Sequence, residues 1–265
     1  MSAARETPEH EIYAIRFAHF AARRRTENFL GGDAHDGPMP FDYFVFAVRG
    51  PSGVWIVDTG FDAEVAAQRG RTHLRCPGEG LRAIGIEPAT VENVILTHLH
   101  YDHAGNPGLF PQAQFHLQAS EMAYATGPCM CHGLLRVGYD AEDIAHVLRK
   151  LFAGRLTYHD GMADLAPGLS LHRIGGHTDG QQVVRVHTRR GWTVLASDAV
   201  HFTDNFRQNR PFPWLYHVGA ALDGFQTLRR LADSEALVIP GHDPEIMRLF
   251  PAASEATRGI VARLD

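Results

Sequence analysis

The stretch Thr97-His98-Leu99-His100-Tyr101-Asp102-His103-Ala104-Gly105-Asn106 sets three imidazoles and a carboxylate within six consecutive positions, 98–103. An imidazole offers a neutral ring nitrogen to a borderline cation such as zinc, and a carboxylate adds charge to the same site. His98 and His100 are two apart, so on the extended end of a strand they project to one side. Asp102 and His103 follow once the chain turns and can face a second position nearby. This spacing suits two cations better than one. Further donors stand just past short apolar runs: His177 after Ile174-Gly175-Gly176, Asp198 after Val194-Leu195-Ala196-Ser197, and His242 after Val238-Ile239-Pro240-Gly241. Alone, each would ordinarily be a cap or turn residue. Together they are what a rigid scaffold offers when several strand ends build one site.

Such a site needs strands that end side by side. Residues 41–48 read as a strand, Gly50-Pro51-Ser52-Gly53 as a turn, and 54–58 as the return strand, ending in Asp58-Thr59-Gly60. Residues 62–69 and 81–84 read as short helices, 94–96 as a buried strand entering the histidine stretch, and 115–117 as the next strand. Residues 119–125 and 140–152 are helical by pattern, the second opening on Asp140 with Glu142 and Asp143 in its first turn. Residues 169–174 alternate as a strand, 182–188 and 192–196 form a hairpin, 222–231 an amphipathic helix and 236–239 a last strand. Hairpins and short strands thus alternate with helices in both halves. The expected class is α/β (α+β), two sheets face to face with helices outside. One domain over residues 1–265 is expected, with a helical lid at about 119–155 between the halves.

Composition narrows the function. The 265 residues carry a net charge of −5, and no Lys/Arg run exceeds Arg23-Arg24-Arg25, so no nucleic-acid partner is expected. The N-terminal stretch has charges where a signal peptide needs an apolar run, and no segment approaches a membrane span, so no membrane partner and a cytoplasmic location are expected. Cys76, Cys129 and Cys131 are an odd set that argues against a disulfide framework. Cys129-Met130-Cys131-His132 has no partner pair elsewhere and reads as a loop or lid segment, not a zinc knuckle. A monomer and a homodimer both remain open.

The 97–106 stretch, Gly176-His177-Thr178, the lone Asp198, Pro240-Gly241-His242 and the earlier Val57-Asp58-Thr59-Gly60 resemble the metallo-β-lactamase superfamily over about 41–242. The resemblance implies a four-layer αββα sandwich with two zinc ions on one edge. By position, His98, His100 and His177 would hold the first ion, Asp102, His103 and His242 the second, and Asp198 would bridge them. Asp58 would fix a ligand histidine. Iron, manganese or cobalt could use the same donors. Class B β-lactamases commonly carry Cys at the position of Asp198. Flavodiiron proteins have Glu where His100 stands, glyoxalase II adds a long helical tail after its last histidine, and nucleases of the superfamily add domains and basic surfaces. The chain looks most like the N-acyl homoserine lactonase branch, which includes 4-pyridoxolactonase. Two residues depart from that branch: His201 stands where quorum-quenching lactonases carry Tyr, and Asp179 where Pro is common.

The resemblance implies ring opening of a small lactone, an N-acyl homoserine lactone or a relative, by hydroxide held between the two cations, which lower the pKa of bound water to about 7. Asp102 is the expected proton shuttle to the leaving alkoxide. His201 is expected to hydrogen-bond the carbonyl oxygen or to donate a proton. The pocket is expected to be lined by Phe29 and Met39, by Met122 and Tyr124, and by residues 206–214, with Arg207 or Arg210 available to a substrate carboxylate. The rival activities are a thioesterase or esterase, glyoxalase II-like, and a 4-pyridoxolactonase-like reaction. A metal-binding protein without turnover is a third class, against which the full donor set argues.

Overall fold

A computed structural model describes residues 7–265. Its strands are β1 (Glu11–Phe20), β2 (Phe41–Gly50), β3 (Gly53–Val57), β4 (Thr72–His73), β5 (Asn93–Ile95), β6 (Gln114–Gln118), β7 (Leu156–His159), β8 (Met162–Ala166), β9 (Leu169–Arg173), β10 (Gln182–Thr188), β11 (Gly191–Ser197), β12 (Val238–Pro240) and β13 (Val261–Arg263). Eight strands form one sheet, β13-β1-β2-β3-β5-β6-β7 with β4 beside β1, and five form the other, β12-β11-β10-β9-β8. The helices are α1 (Ala63–Gln68), α2 (Pro77–Arg82), α3 (Tyr101–Ala104), α4 (Ala119–Ala125), α5 (Gly133–Arg136), α6 (Ala141–Phe152), α7 (Thr203–Arg207), α8 (Val218–Leu231) and α9 (Ile246–Leu249).

Strand period assigns the layers. Along β2, Tyr43, Val45 and Ala47 join the core under the helices, while Phe44, Phe46 and Val48 join the core between the sheets. Along β10 and β11, Val184, Val186 and Leu195 face the first sheet, and Val183, Val194 and Ala196 pack with Phe225 and Leu228 of α8. Both sheets are therefore buried on both faces. The order is helices, sheet, sheet, helices, as the sequence led us to expect. Strands β3, β5 and β6 pair in parallel, as do β11 and β12, so their C-terminal ends emerge along one edge.

Several elements were not expected. β1 shows no alternation in the sequence because both its faces are buried and a register shift between Arg16 and Ala18 breaks its period. β4, β7, β8 and β13 are short strands that rely on neighbours for their pairing. The second helix runs over Pro77–Arg82, with Pro at its start, not over 81–84. α8 begins at Val218, capped by the His217 ring accepting from Ala220 N, so the amphipathic run is longer than 222–231. The 119–155 segment holds α4, the turn Pro128–Cys131, α5 and α6. No helix among the described residues is long and apolar enough to cross a membrane.

Candidate metal centre

Three strand ends are tied together at the shared edge. The chain leaves β3 through Asp58 at φ 66° and leaves β11 through Ser197 at φ 45°. Left-handed backbone at a non-glycine residue costs about 1–3 kcal/mol and persists only where the surroundings enforce it. Here the side chains enforce it. The Asp58 carboxylate accepts from Thr97 N at 2.7 Å and from Thr97 Oγ1 at 2.8 Å. Thr97 Oγ1 also meets Ser197 Oγ at 2.8 Å, which joins the first sheet to the second. Asp58, Thr97 and Ser197 are all buried. The same Asp58 accepts from His103 Nδ1 at 2.7 Å, and this turns His103 Nε2 toward the site.

The seven expected donors, from four separate stretches of the chain, converge on that edge, with His201 beside His177 and Asp198 as an eighth candidate. His98, His100 and His177 form one cluster, with His100 Nδ1 and His177 Nε2 2.9 Å apart. Asp102, His103 and His242 form another, with Asp102 Oδ2 3.4 Å from His103 Nε2 and 3.7 Å from His242 Nε2. Asp198 divides its oxygens. Oδ1 lies 2.9 Å from His242 Nε2 and 3.2 Å from His103 Nε2, whereas Oδ2 lies 3.5 Å from His177 Nε2. Backbone acceptors set the ring tautomers: His177 Nδ1 donates to Trp214 O at 2.6 Å and His242 Nδ1 to Asp42 O at 2.9 Å.

The donor set fits a pair of divalent cations. His98 Nε2 and His103 Nε2 are buried and lack a hydrogen-bond partner, and such orphaned groups are costly unless something fills the gap. Two facing imidazole nitrogens at 2.9 Å likewise require a proton or a cation between them. Burial, then the charge of neighbouring imidazoles, drives His98 and His100 well below the ordinary histidine pKa, so both offer lone pairs. Burial alone would raise the carboxyls of Asp102 and Asp198, but the surrounding imidazoles hold both below the usual carboxylate range.

His201 sits inside this constellation. Its Nε2 meets Asp198 Oδ2 at 2.9 Å, and its ring stacks on Phe212 with centroids 3.3 Å apart. It is buried, not an exposed loop residue, and burial lowers its pKa to about 3. Two further residues were invisible to sequence reasoning. Glu121 of α4 accepts from Leu99 N at 3.0 Å and Tyr139 OH at 3.0 Å through one oxygen. Its other oxygen accepts from Thr178 Oγ1 at 2.6 Å and Gly180 N at 3.0 Å. One buried carboxylate therefore pins both histidine loops of the first cluster. Gly138, between α5 and α6, lies so close to His100 that an added Cβ would stand 2.6 Å from its Nε2.

A cavity of about 270 Å³ opens beside Asp102, His177, Asp198 and His201. Tyr124, Pro213 and Trp214 line it as expected, with Leu134, Leu135 and Val137 from the 119–155 segment. Phe29, Met122 and Phe206 are buried in the interior instead, and Met39 packs against the core under the helices. Arg207 is exposed at the end of α7, and Arg210 donates to Gly32 O over the Phe29 ring, so neither reaches the cavity. The guanidiniums that do line it are Arg23, Arg69 and Arg71. Cys129 and Cys131 lie in the turn Pro128–Cys131 as free thiols.

Residues 39–242 match the family model of the metallo-beta-lactamase superfamily. The chain is 30% identical over 239 residues to N-acyl homoserine lactonase AttM of Azorhizobium caulinodans, covering 84% of this chain and 88% of that protein. It is 28% identical over 239 residues to N-acyl homoserine lactonase AttM of Agrobacterium fabrum, covering 84% and 89%. A crystal structure of a quorum-quenching N-acyl homoserine lactone lactonase shares the fold, with a TM-score of 0.73, 24% identity, and coverage of 90% of this chain and 94% of that one.

Proposed function

Since this chain belongs to the metallo-beta-lactamase superfamily, we propose that it is a metal-dependent hydrolase that opens the ring of a small lactone. The observation that carries this reading is the pair of three-residue donor clusters with Asp198 divided between them. His98, His100 and His177 would hold one cation, Asp102, His103 and His242 the other, and Asp198 both. Zinc is the default ion for such donors. When bound, such a pair activates water as a nucleophile and withdraws charge from an ester carbonyl.

The chain's own groups supply the rest. Asp58 keeps the proton of His103 on Nδ1, which leaves Nε2 free to coordinate. Trp214 O and Asp42 O do the same for His177 and His242. Asp102 lines the cavity, and its Oδ2 is the oxygen that faces His103 and His242. Its carboxylate is therefore the group in position to take a proton from the attacking water and return it to the leaving alkoxide. His201 borders the same cavity and steadies Asp198 through Nε2, while its Nδ1 is buried, so its part in the reaction would be to hold that carboxylate, or to meet a substrate oxygen once Nε2 is released. The apolar wall of Leu134, Leu135 and Trp214 excludes water around the reacting ester.

The relatives at 28% and 30% identity are named for N-acyl homoserine lactones, so lactones head the substrate panel. An esterase or thioesterase acting at the same donors is the second reading, because His201 replaces the tyrosine of the lactonase pattern. Metal analysis of the purified protein, followed by kcat/KM on matched lactones, aryl esters and thioesters, decides between them. We expect about two equivalents of metal and the highest kcat/KM on a lactone. Metal at trace level would remove the basis for the proposal, and a thioester preference would transfer it to the second reading.

A further inference from the structure

The lining of the cavity beside the donors is of two kinds, which meet where Arg69 donates to Val137 O. One is apolar, formed by Leu134, Leu135 and Val137 with Trp214 and Leu215. The other is cationic, formed by Arg23, Arg69 and Arg71 with the phenols of Tyr43 and Tyr101. Arginines nearby are neutralised: Arg16, Arg24 and Arg25 each pair with an aspartate. Among the described residues, no ion pair is formed by Arg23, Arg69 or Arg71. Arg23 donates through Nε to the neutral Asn28 Oδ1 at 2.8 Å, and Arg69 to Val137 O at 3.1 Å. Arg69 lies over the Tyr101 ring at 3.7 Å and Arg71 over the Phe20 ring at 4.0 Å. Asp143 of α6 lies within electrostatic reach of Arg69 but does not pair with it, and burial pushes the Asp143 carboxyl up to about 7.

Arg71 carries the strongest signal. Its Nε is buried with no partner, while its head lies against the Tyr43 and Tyr101 hydroxyls. A half-buried guanidinium held in place by rings and left without a counter-ion is prepared for a ligand that brings one. A planar carboxylate or a phosphoryl group matches its forked donors. Tyr101 directly precedes Asp102 in the chain, so the cationic wall stands next to the donors and not on a remote surface.

We propose that the substrate is an anionic lactone or ester, whose carboxylate or phosphoryl group is bound by Arg71 and Arg69 while its apolar part lies on the Leu134–Trp214 wall. The inference rests on the hydrolase reading above and narrows it to a substrate class. A neutral acyl lactone would offer these guanidiniums only carbonyl oxygens and no counter-charge.

A matched pair of substrates tests it on the metal-loaded enzyme: N-adipoyl homoserine lactone, with a free terminal carboxylate, and N-hexanoyl homoserine lactone, of the same acyl length without one. Phenyl acetate and 4-acetoxybenzoate form the corresponding ester pair. We expect the anionic member to have a kcat/KM higher by about tenfold or more, mainly through KM, and the preference to shrink as salt rises. Arg71→Gln and Arg69→Gln should collapse the ratio, Arg71→Lys should retain part of it, and Arg24→Gln, at a paired surface arginine, should leave it intact. Equal rates on both members, or a preference that survives Arg71→Gln, would overturn the proposal. Lactam analogues of the two acyl lactones separate it from the hydrolase reading, because they bind without being opened. Tighter calorimetric binding of the adipoyl lactam that is lost in Arg71→Gln supports anion recognition even if no lactone is turned over. Equal binding of the two lactams, or none, counts against it whatever the turnover.

Discussion

Replacing Asp58 by Asn keeps the side chain's shape and removes the charge that faces His103 Nδ1 at 2.7 Å. Loss of such a supporting group typically costs 10–100-fold in metal affinity. We expect a loss of about that size in a zinc competition titration against a chelator, and an unchanged affinity would mean that Asp58 serves only the Thr97 turn. At His201, substitution by Ala should lower kcat while metal content stays at the wild-type level, and Gln should restore part of the rate. Wild-type kcat in His201→Ala would make the ring mere packing for Phe212. The donors themselves were legible because HxHxDH is a local pattern and each remaining donor follows an apolar run. Glu121 was not legible. In sequence it is one more acidic residue in the first turn of a short helix, where a carboxylate is common for its own sake, and only the fold brings Leu99 N and Gly180 N to it. The cavity arginines were misplaced for a related reason. Sequence distance from His201 favoured Arg207 and Arg210, whereas the turns after β1 and α1 deliver Arg23, Arg69 and Arg71.

Strands β6 and β7 meet with a pair of histidines side by side. His116 Nδ1 and His159 Nε2 are 3.1 Å apart, and His116 Nε2 is 3.2 Å from Asn93 Oδ1 on β5. Burial, reinforced by His159, lowers the His116 pKa from 6.5 to about 4. The unfolded chain therefore takes up a proton near pH 6.5 that the folded chain refuses until about pH 4. Stability from this pair is full above the upper value and falls across that window as the solution is acidified. Replacing His116 by Gln removes the penalty, so the gap between the two proteins' melting temperatures should shift in favour of His116→Gln between pH 7 and pH 5, by an equivalent on the order of 2 kcal/mol. A gap that does not change with pH would show that the ring takes up its proton in the fold as readily as in the unfolded chain. Elements with one solvated face, such as α6, were legible from their period. β1 was not, because its two buried faces and its register shift erase alternation.

The four layers were legible from the succession of hairpins and helices, since two sheets with apolar faces have few other ways to bury them. Sheet order was beyond reach, because β13 pairs with β1 from the opposite end of the sequence, at Tyr13–Arg263 and Ile15–Val261. At this scale the proposed metal site would also be a stability element. Without cations the site would keep orphaned imidazole nitrogens and two buried carboxylates, and a ligand that binds only the folded state stabilises it by mass action. Chelation should therefore lower the melting temperature by several degrees or more, and restored zinc should reverse the loss. Coincident melting curves with and without chelator would contradict this. The Asp58–Thr97–Ser197 network has a consequence for how the molecule opens. Thr97 N is bonded to a side chain from the end of β3 within its own sheet, and its hydroxyl to one from the end of β11, so the two sheets cannot part at this edge without breaking the Thr97–Ser197 bond and loosening the turn that Asp58 holds. In hydrogen–deuterium exchange the Thr97 amide should then open only with global unfolding, long after the exposed turn of α5 has exchanged.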